Sequence, residues 1–212
     1  MIDLYTWQTP NGRKVSIMLE EIGLDYKVFP INISKDEQFQ PHFLEVSPNN
    51  RIPAIVDKDN NNFSLFESGA ILMYLAEKSG KLINKSNMDE YYRTIEWLMW
   101  QMGGVGPMFG QVHHFVKYNK GKSEYAEERY SKEARRLYGV MDKRLNKNQY
   151  ISGKEYSIAD ISIWPWTARF DWQEIDLNDF PNVARWYKEM IDRPAVQKGW
   201  LVPQNDQVIP SI

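Results

Sequence analysis

Arg51-Ile52-Pro53-Ala54-Ile55-Val56, followed one hairpin later by Phe66-Glu67-Ser68-Gly69-Ala70-Ile71, decides the fold. Pro53 stands directly before a short apolar run of strand type, and a proline, which has no backbone N–H, belongs at a strand start or edge. An Ile-Pro bond at such a corner is a candidate for the cis form, which would turn the backbone groups of Ile52 outward, toward a ligand. Ala54-Ile55-Val56 and Phe63-Ser64-Leu65, joined by the turn-rich Asp57–Asn62, read as a hairpin. Glu67-Ser68 then opens a helix reaching about Lys78, with Ile71, Leu72 and Leu75 on one face. Ser68 and the free N–H groups of that first turn can hold a carboxylate, and Glu67 can pair with an ammonium. One amino-acid-like zwitterion would satisfy both, with a peptide backbone pairing along Ile52. The plainer alternative is a capped helix with an acid at its start, which the helix dipole favours anyway.

Working outward, residues 2–6 and 27–33 read as strands, and Val15, Met18, Leu19 and Ile22 between them keep helical spacing until Gly23 stops the helix. Residues 36–45 look like a short helix or an irregular crossover. The order βαβ then ββα is an α/β unit with a parallel pair and an antiparallel edge, and it resembles the thioredoxin-like fold. Ser79 to Met88 is polar, and the remainder shows no convincing strand pattern. Residues 89–118 and 123–147 read as long helices, the first bent near Gly103–Pro107 because an interior proline loses a hydrogen bond. Ser157-Ile158-Ala159-Asp160 is a capping box, and Phe180-Pro181 opens another helix through Trp186 and Met190. The expected organisation is therefore α/β plus all-α: a thioredoxin-like βαβ-ββα domain over 1–79, a linker over 80–88, and an all-helical domain over 89–212.

The 212 residues carry 26 basic and 28 acidic side chains without a basic stripe, which argues against a nucleic-acid partner. Residues 98–116 hold no formal charge, but their glutamines, histidines, glycines and Pro107 argue against a membrane span. The N-terminus reads as a first strand rather than a signal peptide. Cysteine is absent, which removes a structural disulfide, a thiolate metal site and a catalytic thiol, and suits a cytoplasmic protein. Any reacting sulfur must arrive with the ligand. His113 and His114 point in different directions on a helix and His42 stands far off in sequence, so no metal is expected. Lining a cleft is the expected role of the adjacent pair, with plain exposure next.

The Ile52-Pro53 and Glu67-Ser68 constellation resembles the glutathione-binding half of the glutathione transferases. Thr9-Pro10-Asn11-Gly12-Arg13-Lys14, Gln38-Phe39 ahead of Ser47-Pro48-Asn49-Asn50, and Trp100-Gln101-Met102-Gly103-Gly104 through His113-His114-Phe115 narrow the likeness to the bacterial nu-class, disulfide-reductase-like group. The resemblance covers essentially the whole chain and implies glutathione as co-substrate and a homodimer. Many transferases activate the sulfur with Tyr or Ser; here the loop after the first strand offers Thr9 and Asn11, while Tyr5 sits within the strand. A helix N-terminus, a hydroxyl and an amide can each donate to a thiolate, and lowering a thiol pKa by about two units requires about 2.7 kcal/mol. Without the resemblance, Thr9-Pro10-Asn11-Gly12 is ordinary turn chemistry with Asn11 as a good N-cap. The resemblance further implies glutathione contacts from Asn11, Gln38, Ile52, Glu67 and Ser68. Arg129, in Tyr125–Tyr130, matches an arginine that reaches glutathione in the other subunit; alone it reads as a charged helix face. Trp97, Trp100, Met108, Phe109, Trp164 and Trp166 read mostly as core and dimer surface.

The expected function is glutathione-dependent thiol–disulfide exchange on small or mixed disulfides, with a weaker transferase or peroxidase side activity. The alternatives are a general transferase acting on electrophiles and a non-catalytic binding module. Intact Ile52-Pro53, Glu67 and Ser68 count against the module.

Overall fold

The computed structural model describes residues 1–212 and divides into two compact units, residues 1–81 with 192–209 and residues 82–191 with 210–212. In the first unit a four-stranded sheet has the order β2-β1-β3-β4, with β1 Ile2–Thr6, β2 Tyr26–Pro30, β3 Ala54–Asp57 and β4 Phe63–Phe66. β1 pairs parallel with β2 and antiparallel with β3, and β3 pairs antiparallel with β4. The parallel pair needs a crossover, which α1, Pro10–Ile22, supplies. The central strands are the apolar ones: Ile2, Leu4, Ala54 and Ile55 are fully buried, whereas Phe63 at the edge is exposed. β2 stops at Pro30, short of the expected 33, where the chain turns into two 3₁₀ turns and α2, Pro41–Leu44.

Thr9 caps α1 and Gly23 ends it in the left-handed conformation (φ 72°), where a side chain would be strained. α1 is buried far beyond its apolar stripe, since Arg13, Lys14 and Ser16 are also enclosed. Two helices cover it: α3, Ser68–Ser79, and α9, Pro194–Trp200. α9 is where the structure departs from the expected domain plan. Residues 192–209 cluster with the first unit, not with the helical one, because Gly199 rides directly on Ile17. A Cβ on Gly199 would sit 2.6 Å from the Ile17 backbone.

The second unit holds α4 Met88–Trp100, α5 Gly106–Val112, α6 Glu124–Leu145, α7 Ile158–Thr167 and α8 Pro181–Ile191. The expected bend over 89–118 takes the form of π turns at Gln101–Val105 and His113–Tyr118. The first π turn shifts the hydrogen-bond register just before Gly106-Pro107, so Pro107 enters a helical first turn where its missing N–H costs nothing. α7 is buried at every position and carries the capping box of Ser157 and Asp160. Phe109, Tyr138, Trp164, Trp186 and Tyr187 fill this core. No helix is long and apolar enough to cross a membrane.

Candidate functional site

Every strand of the sheet delivers a candidate residue to the same end. Thr6 pairs with Pro30, Tyr5 with Ala54, and Ala54 with Phe66. The segments beyond those pairs carry Thr9 and Asn11 after β1, Gln38 after β2, Ile52-Pro53 before β3 and Glu67-Ser68 after β4. Ile31, Phe43 and Ala54 form an apolar cluster there, on which Tyr5, Val46, Ile52 and Phe66 pack. The structure thus gathers Thr9, Asn11, Gln38, Ile52, Glu67 and Ser68 at one end of one unit.

Thr9, not Asn11, is the N-cap of α1, with Pro10 in the first helical turn as its fixed φ favours. The Gly12 N–H donates to Thr9 Oγ1 at 3.1 Å. A hydroxyl engaged as an acceptor still has its O–H to give a ligand. Asn11 follows in the same first turn. Gly12 has to be glycine: a Cβ would meet Trp7 O at 2.2 Å and Thr6 Oγ1 at 2.5 Å, so the helix start is docked on the end of β1. Tyr5 is occupied elsewhere, its ring stacked on Phe29 at 4.9 Å, and burial pushes its hydroxyl pKa upward.

Gln38 is buried; its Nε2 donates to Asp36 Oδ1 at 3.4 Å, and its Oε1 is enclosed without a hydrogen-bond partner. The Ile52-Pro53 bond is cis. The turn before it is tied by Ser47 Oγ, which donates to Arg51 O at 2.8 Å. Glu67 occupies the cap position of α3 at φ 70°, ψ 111°, and its side chain does not cap the helix. A non-glycine residue held there is strained by about 1–3 kcal/mol, a cost that concentrates at ligand sites. Glu67 therefore stands at the start of α3 without capping it through its side chain. Ser68 begins α3 and is nearly enclosed.

Lys14 is the residue that the sequence did not disclose. Its Nζ donates to Ser68 Oγ at 3.2 Å from a fully buried side chain. Burial drives its pKa down to about 7, against the pull of the Glu67 carboxylate. The burial of Lys14 follows from the packing of α3 and α9 on α1, elements distant in sequence.

Arg129 lies in the second unit, on α6, where it lines a cavity of about 420 Å³ with Met108, Tyr130, Lys132, Glu133 and Arg136. Arg136 is paired with Glu133 at 2.7 Å. His113 does not line a cleft: it is buried in the helical core, 5.6 Å from the Trp166 ring and 5.3 Å from that of Trp172. His114 is exposed.

Residues 1–77 match the glutathione S-transferase N-terminal domain family, and residues 103–194 match the C-terminal domain family. The chain is 47% identical to the disulfide-bond oxidoreductase YfcG of Escherichia coli (strain K12), covering 96% of each protein. It is 40% identical to the disulfide-bond oxidoreductase YghU of the same organism, covering 98% of this chain and 78% of that one. Among solved structures, a glutathione transferase family member from Pseudomonas fluorescens with two glutathione bound superposes with a TM-score of 0.89 at 47% identity, covering 94% of this chain and 92% of that one. A glutathione transferase from Pseudomonas putida, with one glutathione disulfide bound per subunit, gives 0.89 at 45% identity, covering 95% and 91%.

Proposed function

The chain belongs to the glutathione S-transferase family, and from that membership we propose that it is a glutathione-dependent disulfide oxidoreductase. The observation that carries this reading is a set of ligand-type groups at one end of a sheet in a chain that has no cysteine. Glutathione binds with its α-carboxylate on Ser68 and the start of α3, its ammonium at Glu67, and its peptide backbone along Ile52. Gln38 meets the glycine end of the tripeptide, where its amide N–H can donate to the terminal carboxylate. The sulfur rests against Thr9, Asn11 and the first turn of α1, where a hydroxyl, an amide and helix N–H groups stabilise the thiolate.

The thiolate attacks one sulfur of a small or mixed disulfide; the new S–S bond forms as the old one breaks, and the leaving thiolate takes up a proton. Since the protein has no thiol, a second glutathione must attack the mixed disulfide. Oxidised glutathione departs, and two thiols have been made from one disulfide. Such exchange is fastest when the attacking thiol's pKa lies near ambient pH, so neutral donors and a modest shift suit it. Arg129 completes the site of the partner subunit in a homodimer, and the chain falls in the nu-class-like group and works in the cytoplasm, where glutathione is reduced. Light scattering at micromolar concentration should return about twice the 25.0 kDa monomer mass; a monomer throughout would remove Arg129 from the site.

Turnover of hydroxyethyl disulfide with glutathione tests the chemistry. Thr9→Ala and Asn11→Ala should each lose roughly tenfold to a hundredfold in rate, with about 1.4 kcal/mol for each tenfold, while Tyr5→Phe stays active. If only Tyr5→Phe is dead, the protein is a tyrosine-type transferase instead.

A further inference from the structure

Lys14 has no part in the chemistry above, yet its buried ammonium touches Ser68, the serine proposed to hold the carboxylate. It projects from α1 to Ser68 Oγ, 3.2 Å away, under the first turn of α3. We propose that Lys14 is a positioning residue for glutathione: its ammonium, set behind Ser68, aims the serine hydroxyl at the ligand's carboxylate and supplies the charge that keeps that carboxylate on α3. This role rests on the glutathione-binding reading above.

The orientation follows from hydrogen-bond inventory. Toward the charged form of Lys14, which has only donors, Ser68 Oγ is the acceptor, and a carboxylate at the start of α3 takes its hydrogen bond from the serine hydroxyl. The energetics follow from burial. A fully enclosed lysine is costly as a cation, and near neutrality Lys14 is divided between its two forms. A carboxylate arriving beside Ser68 favours the charged form, so ligand binding should draw a proton onto the protein. Glu67 is the anion at the start of α3; Glu77 and Lys78 stand at that helix's far end, and Lys78 is held by Asp57. From α9, Gly199 and Trp200 meet α1 and are uncharged, Lys198 is the charged residue of that helix, and Arg193 before it pairs with Glu21 farther along α1. Arg13, on α1 itself, turns to Trp200.

The test is calorimetric binding of S-methylglutathione, whose blocked sulfur cannot ionise, at about pH 7.8 in two buffers of different ionisation enthalpy. Wild type should show buffer-dependent heats equivalent to uptake of roughly half a proton per site. Lys14→Met should bind roughly tenfold to a hundredfold more weakly and show no uptake. Lys14→Arg, whose charge does not titrate, should recover affinity without recovering uptake. Binding by wild type with identical heats in both buffers would overturn the role of Lys14 while leaving the glutathione site standing. No binding at all would overturn the proposed function, and this role with it. Because the ligand's own α-amino group also titrates near this pH and gains a proton beside Glu67, only the uptake that a folded Lys14→Met or Lys14→Arg loses is assigned to Lys14, and either variant alone decides.

Discussion

His113 is neutral in the folded protein, and its neighbours fix which nitrogen holds the proton. Tyr138 donates to Gln173 Oε1 at 2.6 Å, so the Gln173 amide nitrogen has both hydrogens to give. One goes to Trp166 O at 2.9 Å and the other meets His113 Nε2 at 3.2 Å. His113 Nε2 is therefore the acceptor, and Nδ1 carries the proton. Burial and then the nearby Arg169 guanidinium drive the pKa down to about 4, from 6.5. Between these values the unfolded chain binds a proton that the folded one refuses, so stability rises with pH across the window and is lost as pH falls from 6.5 toward 4. The shift corresponds to about 3 kcal/mol. Urea midpoints measured from pH 4 to 7 should climb more steeply in wild type than in His113→Gln; parallel curves would mean that His113 is already charged. Nothing local distinguishes His113 from the exposed His114 in the sequence, because burial is decided by Trp166 and Trp172, more than fifty residues away in the chain. The cap of α1 was partly legible because capping chemistry lies within three residues, but the sequence put it on Asn11, two residues late, where the structure has Thr9. Lys14, like His113, depends on a distant partner and was not legible.

At the scale of elements, the capping box before α7 was readable because Ser157 and Asp160 are three residues apart and serve the helix they begin. What could not be read is how much else Asp160 holds. Besides the Ser157 N–H at 3.0 Å, it accepts from Ile151 N at 2.9 Å and from Trp186 Nε1 at 2.9 Å. One carboxylate thus ties α7 to the preceding turn and to α8. The Ser157 hydroxyl also donates to it, at 3.1 Å; Asp160→Ala would strand four buried donors at once, each costing about 1–3 kcal/mol, so a loss of at least about 4 kcal/mol is expected in urea denaturation. Ser157→Ala, which removes the cap and the hydroxyl's links to Asp160 and Ser152, should lose about 1–2 kcal/mol. Equal losses in the two variants would mean that Asp160 acts as a cap and nothing more. The π turns were beyond sequence reading in another way: Pro107 announces a disturbance of the helix, but several local geometries relieve it, and the surrounding packing selects among them.

For the whole molecule, the return of residues 192–209 to the first unit is the feature that neither composition nor periodicity announces. A chain that leaves a thioredoxin-like unit for a helical one need not come back. Here it does, and it closes over the helix that carries Thr9 and Asn11. The Arg13 guanidinium lies 3.3 Å from the Trp200 ring centroid, and its Nε donates to Trp200 O at 3.2 Å. Its Nη2 reaches Gln207 Oε1 at 2.7 Å, and Gln207 Nε2 continues to Gln8 Oε1 at 2.9 Å, in the loop directly before Thr9. Ser16 Oγ donates to Gly199 O at 2.7 Å, and Arg193 joins Glu21 at 2.7 Å. The buried polar residues Arg13 and Ser16 of α1 are thus the counterpart of this tail. Trp200→Ala should remove about 3–5 kcal/mol, the usual loss for a large buried aromatic, a substantial share of a domain's stability. Gln207→Ala breaks only the links to Arg13 and Gln8 and should cost about 1–3 kcal/mol. On the proposed function, glutathione would bind the folded unit and not the unfolded chain, so saturating ligand should recover part of the loss in both variants, by RT ln(1 + [L]/Kd). Thermal unfolding followed by near-ultraviolet circular dichroism, with and without glutathione, reads all three effects. A Trp200→Ala midpoint equal to that of wild type would mean that the tail merely rests on α1 and does not hold it.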